Sequence, residues 1–217
     1  MKRTFKELFL RIIILFVGLA IAHLGVTLFL LTELGSDPFN VLVQGVFQTL
    51  QSLTGLEILT HGYTHVGICL LIIIVLLFVD RTYIKIGTLL CMAFGGPIID
   101  FFTWLLQDIV NSGNPFVVRI LTLAAGCVIL AYGMTIVIKS DAGTGPNDLV
   151  AIVISDKAHF KFGITRIMTD VLFVAIGFFL GGTAGIGTII CAFLVGIVAE
   201  WFLPINEKLI KKILAKF

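Results

Sequence analysis

Six apolar runs recur along this chain, at about residues 10–32, 62–79, 85–106, 117–138, 163–180 and 185–205. Each is about 20 residues long, so that a helix of that length matches the roughly 30 Å hydrocarbon core of a bilayer. Inside lipid every backbone amide needs an internal partner, because a bare one costs several kcal/mol, and runs of this length meet the demand as helices. The composition agrees: hydrophobic residues make up 59% of the chain and charged ones 13%, with a mean hydropathy of +1.12, so lipid is the main solvent. The leading stretch MKRTFKELFLR has the basic flavour of a signal peptide. The run after it is too long, however, and no small-residue cleavage site closes it, which makes it the first transmembrane helix.

Two polar, glycine- and proline-punctuated stretches interrupt this pattern: ELGSDPFNVLVQG at 33–45 and SDAGTGPNDLVAI at 140–152. Each leads into a short segment, about 38–53 and about 146–158, that is helical in pattern but too polar or too short for a span. The basic residues decide how these are placed. With a cytoplasmic N-terminus and six spans, only Arg119 of the 15 lysines and arginines falls outside, a strong positive-inside signal. If the short segments also crossed, Arg81 and Lys85 would move outside. The expected architecture is therefore an all-α polytopic membrane protein with six transmembrane helices, both termini cytoplasmic, and two half-helices that re-enter or lie at the interface.

The interruptions belong to a duplication. An offset of 108 residues superimposes Arg11 on Arg119, Gly18 on Gly126, Gly25 on Gly133, Thr27 on Thr135, Gly35 on Gly143 and Pro38 on Pro146. An offset of 101 pairs Gly62 with Gly163 and Thr64 with Thr165. An offset of 100 pairs IGTLLC at 86–91 with IGTIIC at 186–191, Gly96 with Gly196 and Asp100 with Glu200. The first repeat covers 1–109 and the second 110–207, followed by a basic cytoplasmic tail at 208–217. Three spans per unit is an odd number, so the second unit enters the membrane from the opposite side, as in the inverted repeats of many secondary transporters. Each interruption then supplies one half of a shared site.

In GSDPFN, Ser36 or Asp37 serves as N-cap and Pro38 as the first helical residue; in GTGPND, Thr144 or Gly145 caps and Pro146 follows. Free N–H groups and the positive helix ends would face whatever precedes them, which suits an anion or a carbonyl oxygen, although Asp37 can occupy the first position itself. The competing reading is a pair of ordinary capped interfacial loops. On the first half-helix Asn40, Gln44 and Gln48 share one face, and Asn147 and Asp148 are the comparable groups on the second. Gly35 and Gly143 are expected to leave room for a ligand. The candidate binding residues are thus Gly35, Ser36, Asp37, Pro38, Asn40 and Gln44 with Gly143, Thr144, Gly145, Pro146, Asn147 and Asp148.

Four ionisable groups inside spans are ion-coupling candidates, since such groups are expensive in lipid unless paired, wet or protonated. Asp100 and Glu200 occupy matched positions, beside Trp104 and Trp201, and could equally reach the interface there. Asp170 has Arg166 four residues before it, the spacing of a helical ion pair. His23 could relay protons or hydrogen-bond a neighbouring helix. The glycine stripes at Gly18/Gly25 and Gly126/Gly133 are packing faces. Cys69, Cys91, Cys127 and Cys191 lie in apolar runs and behave as small hydrophobes. Neither a metal nor a cofactor is expected, and with no nucleophile placed beside a base an enzyme is not expected either.

The stretches ELGSDPFNVLVQG and AGTGPNDLVAI, the IGT that opens the third span and the acidic residue near its end together resemble the YczE/YitT type of bacterial integral membrane protein, especially the YczE branch. The resemblance runs from about Arg11 to Pro204 and departs from the family pattern at Asp37-Pro38-Phe39-Asn40. It implies a bacterial cytoplasmic-membrane protein with duplicated halves. The expected function is a small secondary transporter or exporter of an organic solute. The alternative is a non-transporting scaffold or regulator that holds a cytoplasmic partner through the tail NEKLIKKILAKF, whose Leu209, Ile210, Ile213 and Leu214 share a face; that tail would also suit an interfacial helix on anionic lipid. The partners these readings admit are the lipid bilayer, a small-molecule solute, a second copy of the chain and a cytoplasmic protein; nucleic acid is not among them. Sidedness tests the topology: a cysteine placed at Gly55 should react with an impermeant thiol reagent from outside, and one at Lys157 only from inside.

Overall fold

A computed structural model describes residues 4–55 and 59–215, so that Lys2, Arg3 and Lys216 lie outside the described residues. Eight α-helices account for nearly all of them: α1 (Phe5–Leu31), α2 (Pro38–Thr54), α3 (His61–Asp80), α4 (Ile86–Leu106), α5 (Phe116–Ser140), α6 (Pro146–Ala158), α7 (Phe162–Phe179) and α8 (Ile186–Leu214). Six of these, all but α2 and α6, are long and apolar enough to cross a membrane, at the positions the apolar runs mark. The protein is a multi-pass membrane protein.

The short helices begin where their caps dictate. Asp37 stands at the N-cap of α2 and accepts from the amides of Phe39 and Asn40, with Pro38 next in line. For α6 the cap is Gly145, followed by Pro146. Proline is well placed here because its missing N–H would have had no intrahelical acceptor. Left-handed residues, Gly55 and His159, end the two helices.

At the centre α1 and α5 cross antiparallel through their glycines, Gly18 against Gly133 and Gly25 against Gly126. A β-carbon on Gly18 would lie 2.8 Å from the Val137 amide nitrogen, and one on Gly25 2.5 Å from the Gly126 carbonyl oxygen, so no larger residue fits this crossing. Close backbone approach of this kind is how helices associate where no hydrophobic effect separates protein from lipid. Helix α4 packs on α1 and α8 on α5, while α2 lies against α7 and α6 against α3 and α7.

Several contacts occur twice with the two halves exchanged. Arg11 Nη1 donates to the Ser140 carbonyl at 2.8 Å, and Arg119 Nε to the Thr32 carbonyl at 2.7 Å. Gly87 N–H donates to Ala142 and Gly187 N–H to Leu34, each at 2.9 Å. These are the pairs that the offsets of 108 and 100 residues relate. One pair of contacts has diverged. Between α2 and α7, Gly45 meets Gly177; at the corresponding point between α6 and α3, Val153 meets Leu76, beside an apolar groove of about 610 Å³.

The core between α1, α5 and α8 is built on Phe29, Leu123, Cys127, Cys191 and Val195. All four cysteines are free and buried. The basic tail differs from the sequence expectation. Residues 208–214 continue α8 without a break, and Ile210, 3% exposed, packs with Ile14 and Ile136. Ile213 and Leu214 of the same face pack beside it, whereas Leu209 is exposed. Just before it, Asn206 donates to Thr135 Oγ1 at 2.7 Å and Glu207 pairs with Lys139 at 2.7 Å, which carries the helix onward; the last two tail residues lie outside the described ones.

The crossing supplies a stability test. Gly133→Ala would put a methyl group 2.7 Å from Ala22 Cα and Gly18 O, forcing α1 and α5 apart. The variant should lose about 1–3 kcal/mol, the usual range for overpacking, read as a lower thermal unfolding temperature of the purified protein in detergent.

Candidate functional site

The tips of α2 and α6 converge on one interior cavity of about 230 Å³. Its walls come from the middle turns of α1 (Leu19, His23, Val26) and α5 (Leu130, Met134, Val137), from His65 and Cys69 of α3, Cys91 and Gly95 of α4, Arg166 of α7 and Cys191 of α8. Asp37, Pro38 and Asn40 enter from one half, and Gly145, Pro146, Asn147 and Asp148 from the other. Irregular backbone in a membrane protein is tolerated where it is buried in protein or lines a wet cavity, and both tips meet that condition.

Charge is concentrated on the α6 side. Arg166 Nη1 reaches Asp148 Oδ1 at 2.6 Å and Arg166 Nε reaches Asp170 Oδ2 at 2.9 Å. Asn147 Nδ2 also donates to Asp148 Oδ1, at 3.1 Å. Both Arg166 and Asp170 are buried, Asp170 completely, and Asp170 Oδ1 has no hydrogen-bond partner among the described residues. A guanidinium holding two carboxylates through different nitrogens is the arrangement in which a buried charge is tolerable. On the α2 side, Asp37 Oδ1 accepts from the amides of Phe39 at 3.1 Å and Asn40 at 3.2 Å, and its Oδ2 accepts from Asn40 Nδ2 at 2.5 Å. His65 stands edge-on to Phe39 with ring centroids 5.3 Å apart. His23 Nδ1 pairs with the Leu19 carbonyl of its own helix at 2.8 Å, and its Nε2 faces Gly95 of α4.

Seven of the twelve binding candidates therefore line one cavity, and His23 joins them. The other five candidates stand apart from the lining. Gly35 (φ +149°) and Gly143 (φ +136°) give their room to protein: a β-carbon on Gly35 would meet Thr188 at the start of α8, and one on Gly143 would meet Thr88 at the start of α4. The Ser36 carbonyl accepts from Thr188 Oγ1 at 2.5 Å. Gly143 and Thr144 border a separate hollow of about 180 Å³ with Lys85 and Asp141. Gln44 leaves the cavity and accepts from Thr183 N and Oγ1, at 3.0 and 2.8 Å, in the turn between α7 and α8.

Among the ion-coupling candidates, Asp170 stands behind Arg166. Asp100 is exposed on α4, whereas Glu200 Oε2 accepts from Gly163 N–H at 2.7 Å and so caps the start of α7. The two matched carboxylates thus sit in different surroundings. His65 and the cavity-facing role of Arg166 escaped sequence reasoning, although a signal existed: the offset of 101 that aligns Gly62 with Gly163 also aligns His65 with Arg166 and Cys69 with Asp170. Among the described residues no group of three or more His, Cys, Asp or Glu side chains is arranged to hold a metal ion.

Removing the guanidinium should expose how much of the fold rests on this cluster. Arg166→Met would leave the buried Asp170 and the half-buried Asp148 without their counter-charge, and should destabilise the protein by about 3–5 kcal/mol. The double variant Arg166→Met/Asp170→Leu should recover part of that loss. Thermal unfolding of the purified proteins compares the three.

The chain is similar along most of its length to a membrane protein of Bacillus subtilis (strain 168) called uncharacterized membrane protein YczE, with 30% identity over 97% of this chain and 94% of the relative. A protein of Haemophilus influenzae, described only as uncharacterized, is 27% identical over 90% of this chain and 84% of its own length. The B. subtilis protein YyaS, likewise described as uncharacterized, is 23% identical over 88% and 92%. No solved structure matches the chain. Residues 9–204 match the model of the family of unknown function DUF6198, and with the two half-helix motifs inside that range, the chain belongs to this YczE-like family of membrane proteins.

Proposed function

We propose that the protein is a small secondary transporter of an organic solute in the bacterial cytoplasmic membrane, with both termini cytoplasmic. Its two halves are inverted repeats that rock about the α1–α5 crossing, and α2 and α6 re-enter from opposite faces. The observation that carries this reading is the single cavity walled by both half-helix tips together with the middle turns of α1 and α5. The contacts that recur with the halves exchanged, Arg11 to Ser140 and Arg119 to Thr32 among them, support the inverted relation. A binding site at the interface of two such repeats, at the starts of discontinuous helices, is the arrangement on which alternating access depends. Polar side chains at that depth also favour transport over a scaffold, since groups so expensive to bury in lipid are retained where a solute or ion uses them.

Alternating access has a consequence that does not require the solute to be known. With Cys69, Cys91, Cys127 and Cys191 replaced by alanine or serine, a cysteine introduced at Asn40 or Asn147 should react with a membrane-impermeant thiol reagent applied to either face of oriented vesicles. Reaction from one face only at both positions would argue for a static scaffold. Untargeted metabolite comparison of cells with and without the protein then identifies candidate solutes for flux measurements.

A further inference from the structure

We propose that the central cavity takes a small organic cation, a protonated amine or a guanidinium compound. The transport of that cation rests on the transporter reading; its binding rests on the chemistry of the cavity alone.

A helix start ordinarily attracts anions through its free amides and dipole. At the α2 tip those amides are already engaged, because Asp37 Oδ1 accepts from both Phe39 and Asn40. At the α6 tip Asp148 stands in the first turn. Each tip therefore brings its own carboxylate to the cavity, and an incoming anion would meet negative charge from both halves.

The balance of fixed charge points the same way. Asp37 and Asp148 line the cavity and Asp170 stands directly behind, against the single guanidinium of Arg166. In the lining itself two carboxylates stand against one guanidinium, which leaves one carboxylate without a counter-charge, since His23 and His65 carry no fixed charge. Acceptor capacity is also in surplus. Both donors to Asp148, Arg166 and Asn147, converge on Oδ1 and leave Oδ2 without a hydrogen bond among the described residues. Asp170 Oδ1, in a side chain that is 0% exposed, has no partner either. Buried carboxylate oxygens are stabilised by charged N–H donors above all, and the lining offers only Arg166 as one.

The duplication indicates where the cation sits. In the second half the guanidinium of Arg166 holds the carboxylate at the helix tip. The matching residue of the first half is His65, which lines the cavity together with Asp37. A ligand ammonium or guanidinium placed by Asp37 would complete in the first half the ion pair that Arg166 makes in the second. A volume of about 230 Å³ falls below the roughly 300–1,000 Å³ of drug-sized sites, which restricts the ligand to a small molecule.

The test uses the full chain in detergent or lipid nanodiscs, with ethylammonium, guanidinium and tetramethylammonium chlorides compared with sodium acetate and sodium methanesulfonate at matched ionic strength. At least one of the three cations should raise the unfolding temperature saturably, as a ligand of the folded state does, while the anions should not. Asp37→Ser keeps a capping oxygen but removes the charge, and should weaken the apparent affinity at least about tenfold, the worth of one charge-assisted hydrogen bond. Asn40→Asp adds a carboxylate at the position matching Asp148 and should tighten it. Saturable stabilisation by the anions alone, no response to any of the three cations, or a cation response unchanged in both variants would overturn the assignment.

Counterflow of radiolabelled ethylamine or guanidine in proteoliposomes separates this inference from the reading beneath it. Cation binding without flux would leave the site assignment standing and sink the transporter. Flux of an acidic or neutral solute without cation binding would do the reverse.

Discussion

Everything in this molecule is arranged around the glycine-to-glycine crossing of α1 and α5. In lipid the hydrophobic effect cannot hold two apolar helices together, so association has to come from close packing and from polar contacts. At this crossing the backbones approach so nearly that a single methyl group has no room. The carbonyls freed at the ends of the two helices are then held by Arg11 and Arg119. With the central pair fixed, α4 and α8 have surfaces to lie on, and the loops that follow α1 and α5 are steered back inward. Leu34 and Ala142 each accept an amide from the start of α8 or α4, and that bond aims the following half-helix at the interior.

Much of this was legible in the sequence because its signals are local or periodic. Run length gave the spans to within a few residues at most boundaries, and the proline after a capping residue marked the starts of α2 and α6. The ion pair of Arg166 with Asp170 followed from a four-residue spacing. What the sequence could not convey was which neighbours each polar group would find. Asp148 joins Arg166 from another helix, a relation no spacing encodes. Gly35 and Gly143 read as space for a ligand, whereas the space is filled by the starts of α8 and α4. Gln44 shares a helical face with Asn40, yet a turn of α2 carries it out of the cavity to the turn at Thr183. The end of α8 reads as a basic tail whose apolar face suits a partner or a lipid surface, but Asn206 and Ile210 tie it to α1 and α5.

The polar interior sets two demands against each other. A polar cavity leaves groups without protein partners, whereas stability in lipid needs every such group satisfied. The two halves resolve this differently. The second half has an internal guanidinium that holds its carboxylates, which favours rigidity; the first half has a histidine at that place and a carboxylate engaged mainly in capping its own helix. The two tip carboxylates, Asp148 and Asp37, are thus held by different kinds of partner.

The divergence extends to mechanics. Where α2 meets α7, Gly45 against Gly177 fixes the two backbones at one separation, with no side chain able to yield. Where α6 meets α3, the same place holds the side chains of Val153 and Leu76 beside an apolar groove. A contact made by side chains can adjust through their rotamers, whereas a contact between two backbones has no rotamer to change. At this point the α6–α3 contact is made by side chains and the α2–α7 contact by backbone. Any shift of α6 against α3 can therefore be taken up by side-chain rotamers at Val153 and Leu76, whereas α2 and α7 at Gly45 and Gly177 can shift only as backbones.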